Sequence, residues 1–125
     1  MKHDNLKDRT KNFALRIIRV VEALPKSKTA DVIGRQLLRS GTSVGANYRS
    51  ACRAKSSADF IHKMCIVEEE TDESLFWMEL LVDGKVMRGG QLKELIGEAK
   101  EILAITIASI RTVKRKNNQG EKNAG

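Results

Sequence analysis

Four arginines carry the most suggestive chemistry in this 125-residue chain. At about 100° per residue, Arg35, Arg39, Arg49 and Arg53 fall within about 80° of one another on one side of a helix, with Thr42 and Ala46 in the gaps. A guanidinium offers a planar fork to phosphate, so such a strip can bind nucleic acid through its backbone. The plainer reading is a solvated face whose charges pair with carboxylates on a neighbouring helix. Those carboxylates exist: Glu68, Glu69, Glu70, Asp72 and Glu73 place five acids in six positions. On a bundle they invite a di-metal site, but that chemistry uses Glu-x-x-His pairs, and neither His3 nor His62 stands three residues after a glutamate. His62 and Cys65, one turn apart, with Cys52 elsewhere, lack the paired spacing of a zinc site. No phosphate-loop, dinucleotide, nucleophile-elbow or HExxH pattern occurs, so neither a cofactor nor an enzymatic activity is expected.

Helices must position these residues. One proline, Pro25, and little β-type alternation leave the 3.6-residue period as the dominant signal. The first helix is predicted from about Asp4 to Leu24, with Leu6, Phe13, Ile17, Val20, Val21 and Leu24 on one face, and Pro25 ends it. A second starts behind Thr29 or nearby and runs to about Arg53, with Ile33, Leu37, Val44, Tyr48 and Ala51 on its apolar side. Gly34, Gly41 and Gly45 within it each cost about 0.5–1 kcal/mol, which suggests close approach of another backbone, unless a loop at Gly41 splits the block. Ser56, Ser57 and Asp59 open a third helix whose face is Phe60, Met64, Val67, Thr71, Leu75, Met78 and Val82. A break over residues 83–90 precedes a fourth stripe of Leu92, Leu95, Ile96, Ala99, Ile102, Leu103, Ile110 and Val113. Four such helices with short connections make an all-α, antiparallel up-down-up-down bundle over residues 1–116, followed by a disordered basic and polar tail over 117–125.

The third helix is apolar on a second flank as well, through Ile66, Trp77, Leu80 and Leu81. A wide core face would account for this, and so would a subunit interface anchored by Trp77, which makes the chain itself an expected partner. Charge is unevenly spread: residues 1–55 carry 13 basic and 4 acidic side chains, residues 56–110 carry 5 and 11, and residues 111–125 carry 5 and 1. The formal net charge is +7. An oligomer would multiply the basic field and draw polyanions. The phosphate contacts are expected from Arg35, Arg49, Arg53, Arg111, Lys114, Arg115 and Lys116, and the lack of interleaved aromatics favours backbone or shape recognition over base stacking. Two unpaired-looking cysteines and an N-terminus without an apolar run point to a reducing cytoplasm, and no apolar stretch is long enough for a membrane span.

The block Arg39-Ser40, Ser43-Val44, Ala46-Asn47 within Gln36 to Arg53, followed by Asp59-Phe60 and then Asp72-Glu73-Ser74-Leu75-Phe76-Trp77-Met78-Glu79-Leu80-Leu81, resembles the bacterial 23S rRNA intervening-sequence proteins over roughly residues 10–115. The resemblance implies a four-helix bundle assembled as a ring-like homopentamer. That family is also similar to the accessory protein of diversity-generating retroelements, a basic pentamer that works with a reverse transcriptase and its RNA. An RNA, or a protein such as a reverse transcriptase docking on a scaffold, is therefore the expected partner besides the chain itself. By position, Arg39, Ser43 and Asn47 match the first motif and Glu70, Asp72, Glu73 and Trp77 the second, with structural or interface roles. Ser43 and Asn47, one turn apart, could hydrogen-bond a neighbouring helix, and Arg39 could meet the third-helix carboxylates. Many relatives carry isoleucine where Tyr48 stands and glutamate where Ser50 stands, so Arg49-Ser50 makes the strip more basic here.

Overall fold

The computed structural model describes residues 6–124, and side chains as far as residue 120. It consists of α1 (Leu6–Glu22), α2 (Lys28–Cys52), α3 (Ser57–Asp83) and α4 (Gly89–Ala124), with no strand among the described residues. Each start has a local cause. Ser27, not Thr29, caps α2: its extended backbone lets its hydroxyl accept from the Ala30 N–H at 3.1 Å. Ser56 caps α3 in the same way by accepting from the Asp59 N–H at 3.0 Å, while Asp59 reaches back to the Lys55 N–H at 3.1 Å. Between α3 and α4, Lys85 takes a left-handed conformation with φ 60°, and the N–H groups of Val86 and Met87 both close on the Leu81 carbonyl.

The glycines of α2 explain how α1 lies on it. The helix passes unbroken through Gly41, so the alternative of a loop there is discarded. A Cβ at Gly41 would stand 2.8 Å from Ile17 Cγ1, and one at Gly45 would stand 3.2 Å from the backbone oxygen of Thr10. Gly34 likewise faces Leu24. Residue numbers rise along one helix as they fall along the other, which makes the pair antiparallel. Ser74 of α3 meets Ser40 of α2 through a buried hydroxyl contact of 2.9 Å, and Arg39 spans the same seam. Arg9 closes the ring of four helices by holding Glu98 at 2.6 Å and Glu101 at 3.0 Å across the seam of α1 and α4. The up-down-up-down bundle follows from these contacts.

The core is the expected set of stripes, with Phe13, Ile17, Leu37, Val44, Met64, Val67, Met78, Leu92 and Ile102 fully buried. Leu81 corrects one reading: it is fully buried in the core rather than part of a surplus flank. The C-terminal segment corrects another, since the backbone expected to be disordered from residue 117 is helical as far as Ala124. Extending an existing helix costs little per residue, no glycine or proline occurs from Lys114 to Gln119, and cations near a helix C-terminus are favoured by its dipole.

Candidate nucleic-acid interface

Three clefts locate one end of the bundle. The first brings Lys7 and Lys11 of α1 beside Arg49 of α2. The second joins Leu6 and Tyr48 to Thr112 and Val113 of α4. The third joins Cys52 and Lys55 to Phe60 and Val113. Val113 thus lies level with the first turn of α3, and Lys114, Arg115 and Lys116 continue α4 past the end of the bundle, all exposed. Arg111, Lys114 and Arg115, at spacings of three and four, share one side of that extension. This end therefore gathers Arg49, Arg53, Arg111, Lys114, Arg115 and Lys116, together with Lys7, Lys11 and Lys55, which the sequence alone did not connect to them. Of the carboxylates near these residues, Glu98 and Glu101 are taken by Arg9 and Asp59 is engaged by Lys63 at 3.3 Å, while Asp8 is exposed. The backbone N–H of Lys55 and then Lys63 hold Asp59 below the usual carboxylate range.

The arginine strip of α2 is divided by its surroundings. Arg35 sits near the opposite end, about 27 Å along the helix from Arg53 at 1.5 Å per residue. It pairs within its own helix with Asp31 at 3.0 Å. Arg39 meets Glu70 at 3.2 Å and also bonds Glu73, so the expected contact with the third-helix carboxylates forms within one subunit. Both partners raise the affinity of Arg39 for its proton, Glu73 the more strongly. Glu73 is in turn held below its ordinary value, first by the indole N–H of Trp77 at 3.0 Å and then by Arg39. Asp72 is exposed on the same helix. Ser43 and Asn47 do not reach another helix: the hydroxyl donates to the Arg39 carbonyl at 2.7 Å and the amide to the Ser43 carbonyl at 2.8 Å. Small polar groups on a helix surface find the carbonyl one turn back sooner than a neighbour across a seam.

Sequence reasoning missed the Arg9 clamp and the Ser40–Ser74 contact. Neither has a local signature; Arg9 and Glu98 are 89 residues apart. Trp77 is half-buried and stands edge-on to Phe76 with ring centroids 5.0 Å apart, and Phe76 is 51% exposed. Among the described residues no group of three or more His, Cys, Asp or Glu side chains could hold a metal ion, and no described helix is long and apolar enough to cross a membrane.

This arrangement of helices has known counterparts. Residues 3–108 match the family described as 23S rRNA-intervening sequence protein. The chain belongs to that family. A crystal structure of a protein of unknown function from the S23 ribosomal protein family of Bacteroides thetaiotaomicron is similar at 37% identity and a TM-score of 0.82, covering 89% of this chain and 99% of that one. No curated protein matches the chain. Neither the family nor this neighbour indicates an enzyme. Arg49 and Arg53 lie within the span matched to the 23S rRNA-intervening sequence family, whereas Arg111, Lys114, Arg115 and Lys116 lie beyond it.

Proposed function

We propose that this protein is a non-enzymatic nucleic-acid-binding bundle of the 23S rRNA-intervening sequence family, with RNA as its ligand. The observation that carries the reading is the cation cluster at one end, built from the ends of α1, α2 and α4. Separate helices converge there on a surface with few carboxylates, so most of its charge is free to neutralise phosphate and release counterions. Arg35, already paired and far from this end, contributes little to binding, and Arg39 serves the α2–α3 seam. The exposed Phe76 ring beside Trp77 favours self-association through α3, and a homopentameric ring would present several basic ends together.

Fluorescence anisotropy with a structured RNA across a salt series tests the reading. Binding should weaken steeply as salt rises. The double substitution Arg49→Glu/Arg53→Glu should lower affinity and reduce the log–log salt slope by about 2, one unit per lost phosphate contact. Arg35→Glu should leave both nearly unchanged. Affinity insensitive to salt and to Arg49 and Arg53 would overturn the assignment. Capture of an acidic protein at the same surface, with no RNA binding, would favour a scaffold that docks a partner such as a reverse transcriptase.

A further inference from the structure

At the basic end α4 and the nearby ends of α1, α2 and α3 border a cleft of about 560 Å³. Its walls are apolar and aromatic: Tyr48 from the end of α2 and Phe60 from the start of α3, with Ile105 and Val113 of α4. Both rings are half-buried, so part of each remains accessible. Ser109 and Thr112 add hydroxyls to the wall. Burial, with the Cys52 thiol beside it, pushes the Tyr48 phenol up to about 12, so it stays a hydrogen-bond donor throughout the neutral range. Cations lie close by: Lys7 and Arg49 line the neighbouring cleft, Lys55 lines a third that shares Phe60 and Val113, and Arg111 and Lys114 are exposed on α4 one residue from Thr112 and Val113. Aromatic walls with hydroxyls, close to exposed cations, complement a ligand that is flat and apolar-faced at its centre and carries anionic groups beside it.

We propose that this cleft receives an unpaired nucleobase of a bound RNA, stacked on Tyr48 and Phe60 while Arg49, Arg111 and Lys114 hold the flanking phosphates. The inference rests on the nucleic-acid reading above and adds a substrate class to it. Bases in a duplex are stacked on one another and cannot enter, whereas a splayed base offers its faces to aromatic side chains. The protein therefore prefers single-stranded or looped RNA to a plain duplex.

The test is anisotropy at low salt with the full chain, using a labelled single-stranded oligouridylate and a blunt RNA duplex of equal length. The single strand should bind more tightly. Tyr48→Ala, and Ala108→Leu, which fills the cleft from an exposed position, should each weaken the single strand about tenfold and leave the duplex unchanged. Tyr48→Phe should keep most of the affinity, and Arg49→Glu should weaken both RNAs. Circular dichroism on each variant checks that the helices persist, and Ala108→Leu keeps the test informative if Tyr48→Ala unfolds. If both cleft variants bind both RNAs like the parent while Arg49→Glu weakens both, the base site is overturned and the wider reading stands. If the parent binds neither RNA, both fall. A change in assembled mass by light scattering without a change in RNA affinity would assign the cleft to a second copy of the chain and overturn the proposal.

Discussion

Gly41 and Gly97 show how differently one residue type behaves in two helices. A methyl group at Gly41 would press on Ile17 at 2.8 Å inside the α1–α2 seam, while one at Gly97 would meet nothing within 4 Å. Gly41→Ala should destabilise the fold by about 1–3 kcal/mol through overpacking, despite the gain in helix propensity. Gly97→Ala should stabilise it by about 0.5–1 kcal/mol, and chemical denaturation reads both. Glu73 makes a prediction about pH. Its pKa is lowered in the folded state by Trp77 and Arg39. The stability it contributes is thus complete above its ordinary value of 4.5 and is lost as the pH falls below that towards the folded value. Glu73→Gln should flatten the acid limb of a stability profile measured by urea denaturation between pH 3 and 6, a window on the order of the ordinary carboxylate pKa. A profile unchanged by the substitution would show that the Trp77 and Arg39 contacts do not persist in solution.

Between elements, two arginine clamps of similar composition should differ in worth. Arg9, with its side chain 22% exposed, joins α1 to α4 through two contacts on Glu98, one from Nε at 3.0 Å and one from Nη2 at 2.6 Å. Arg39 joins α2 to α3 but is 46% exposed. Arg9→Ala should cost about 1–3 kcal/mol, because a partly buried Glu98 loses a charge-assisted fork. Arg39→Ala should cost at most about 1 kcal/mol, since water screens an exposed pair and replaces it. Thermal unfolding of the two variants decides the order, and equal losses would refute it.

For the molecule as a whole, helix polarity sets where charge gathers. An antiparallel bundle brings the start of α1, the end of α2, the start of α3 and the end of α4 to one end, and of these segments all but the start of α3, where Asp59 and Lys63 pair, are basic in this chain. A chain of net charge +7, with four of its acids, Glu70, Glu73, Glu98 and Glu101, committed to Arg9 and Arg39, keeps that end positive. Light scattering on purified protein should therefore show RNA complexes at low salt that dissociate at high salt. The mass of the free protein should exceed that of a monomer if the Phe76 and Trp77 edge is an interface. Phe76→Glu should return it to the monomer, and a monomeric parent would sink the interface without touching RNA binding.

The number of helices, their faces and their order along the chain were legible in the sequence, because burial of one stripe per helix imposes a 3.6-residue repeat on the apolar residues themselves. Phe13, Ile17, Leu37, Met64 and Ile102 announce the core by spacing alone. The reading of the glycines as a close approach was legible too, since three of them inside one helix cost more than a loop-free segment tolerates without return. Charge, by contrast, leaves no record of its partner. Nothing in the order of residues could tell that Arg39 is spent on Glu70 and Glu73, that Arg35 is far from Arg53's neighbours, or that Lys7 and Lys55 join Arg49 and Lys114. Nor could it place Tyr48 against Phe60 in one cleft, 12 residues apart but on different helices. Apolar periodicity is a property of each helix by itself, whereas ion pairs, charge clusters and clefts exist only between helices, so they were decided by how the four pack.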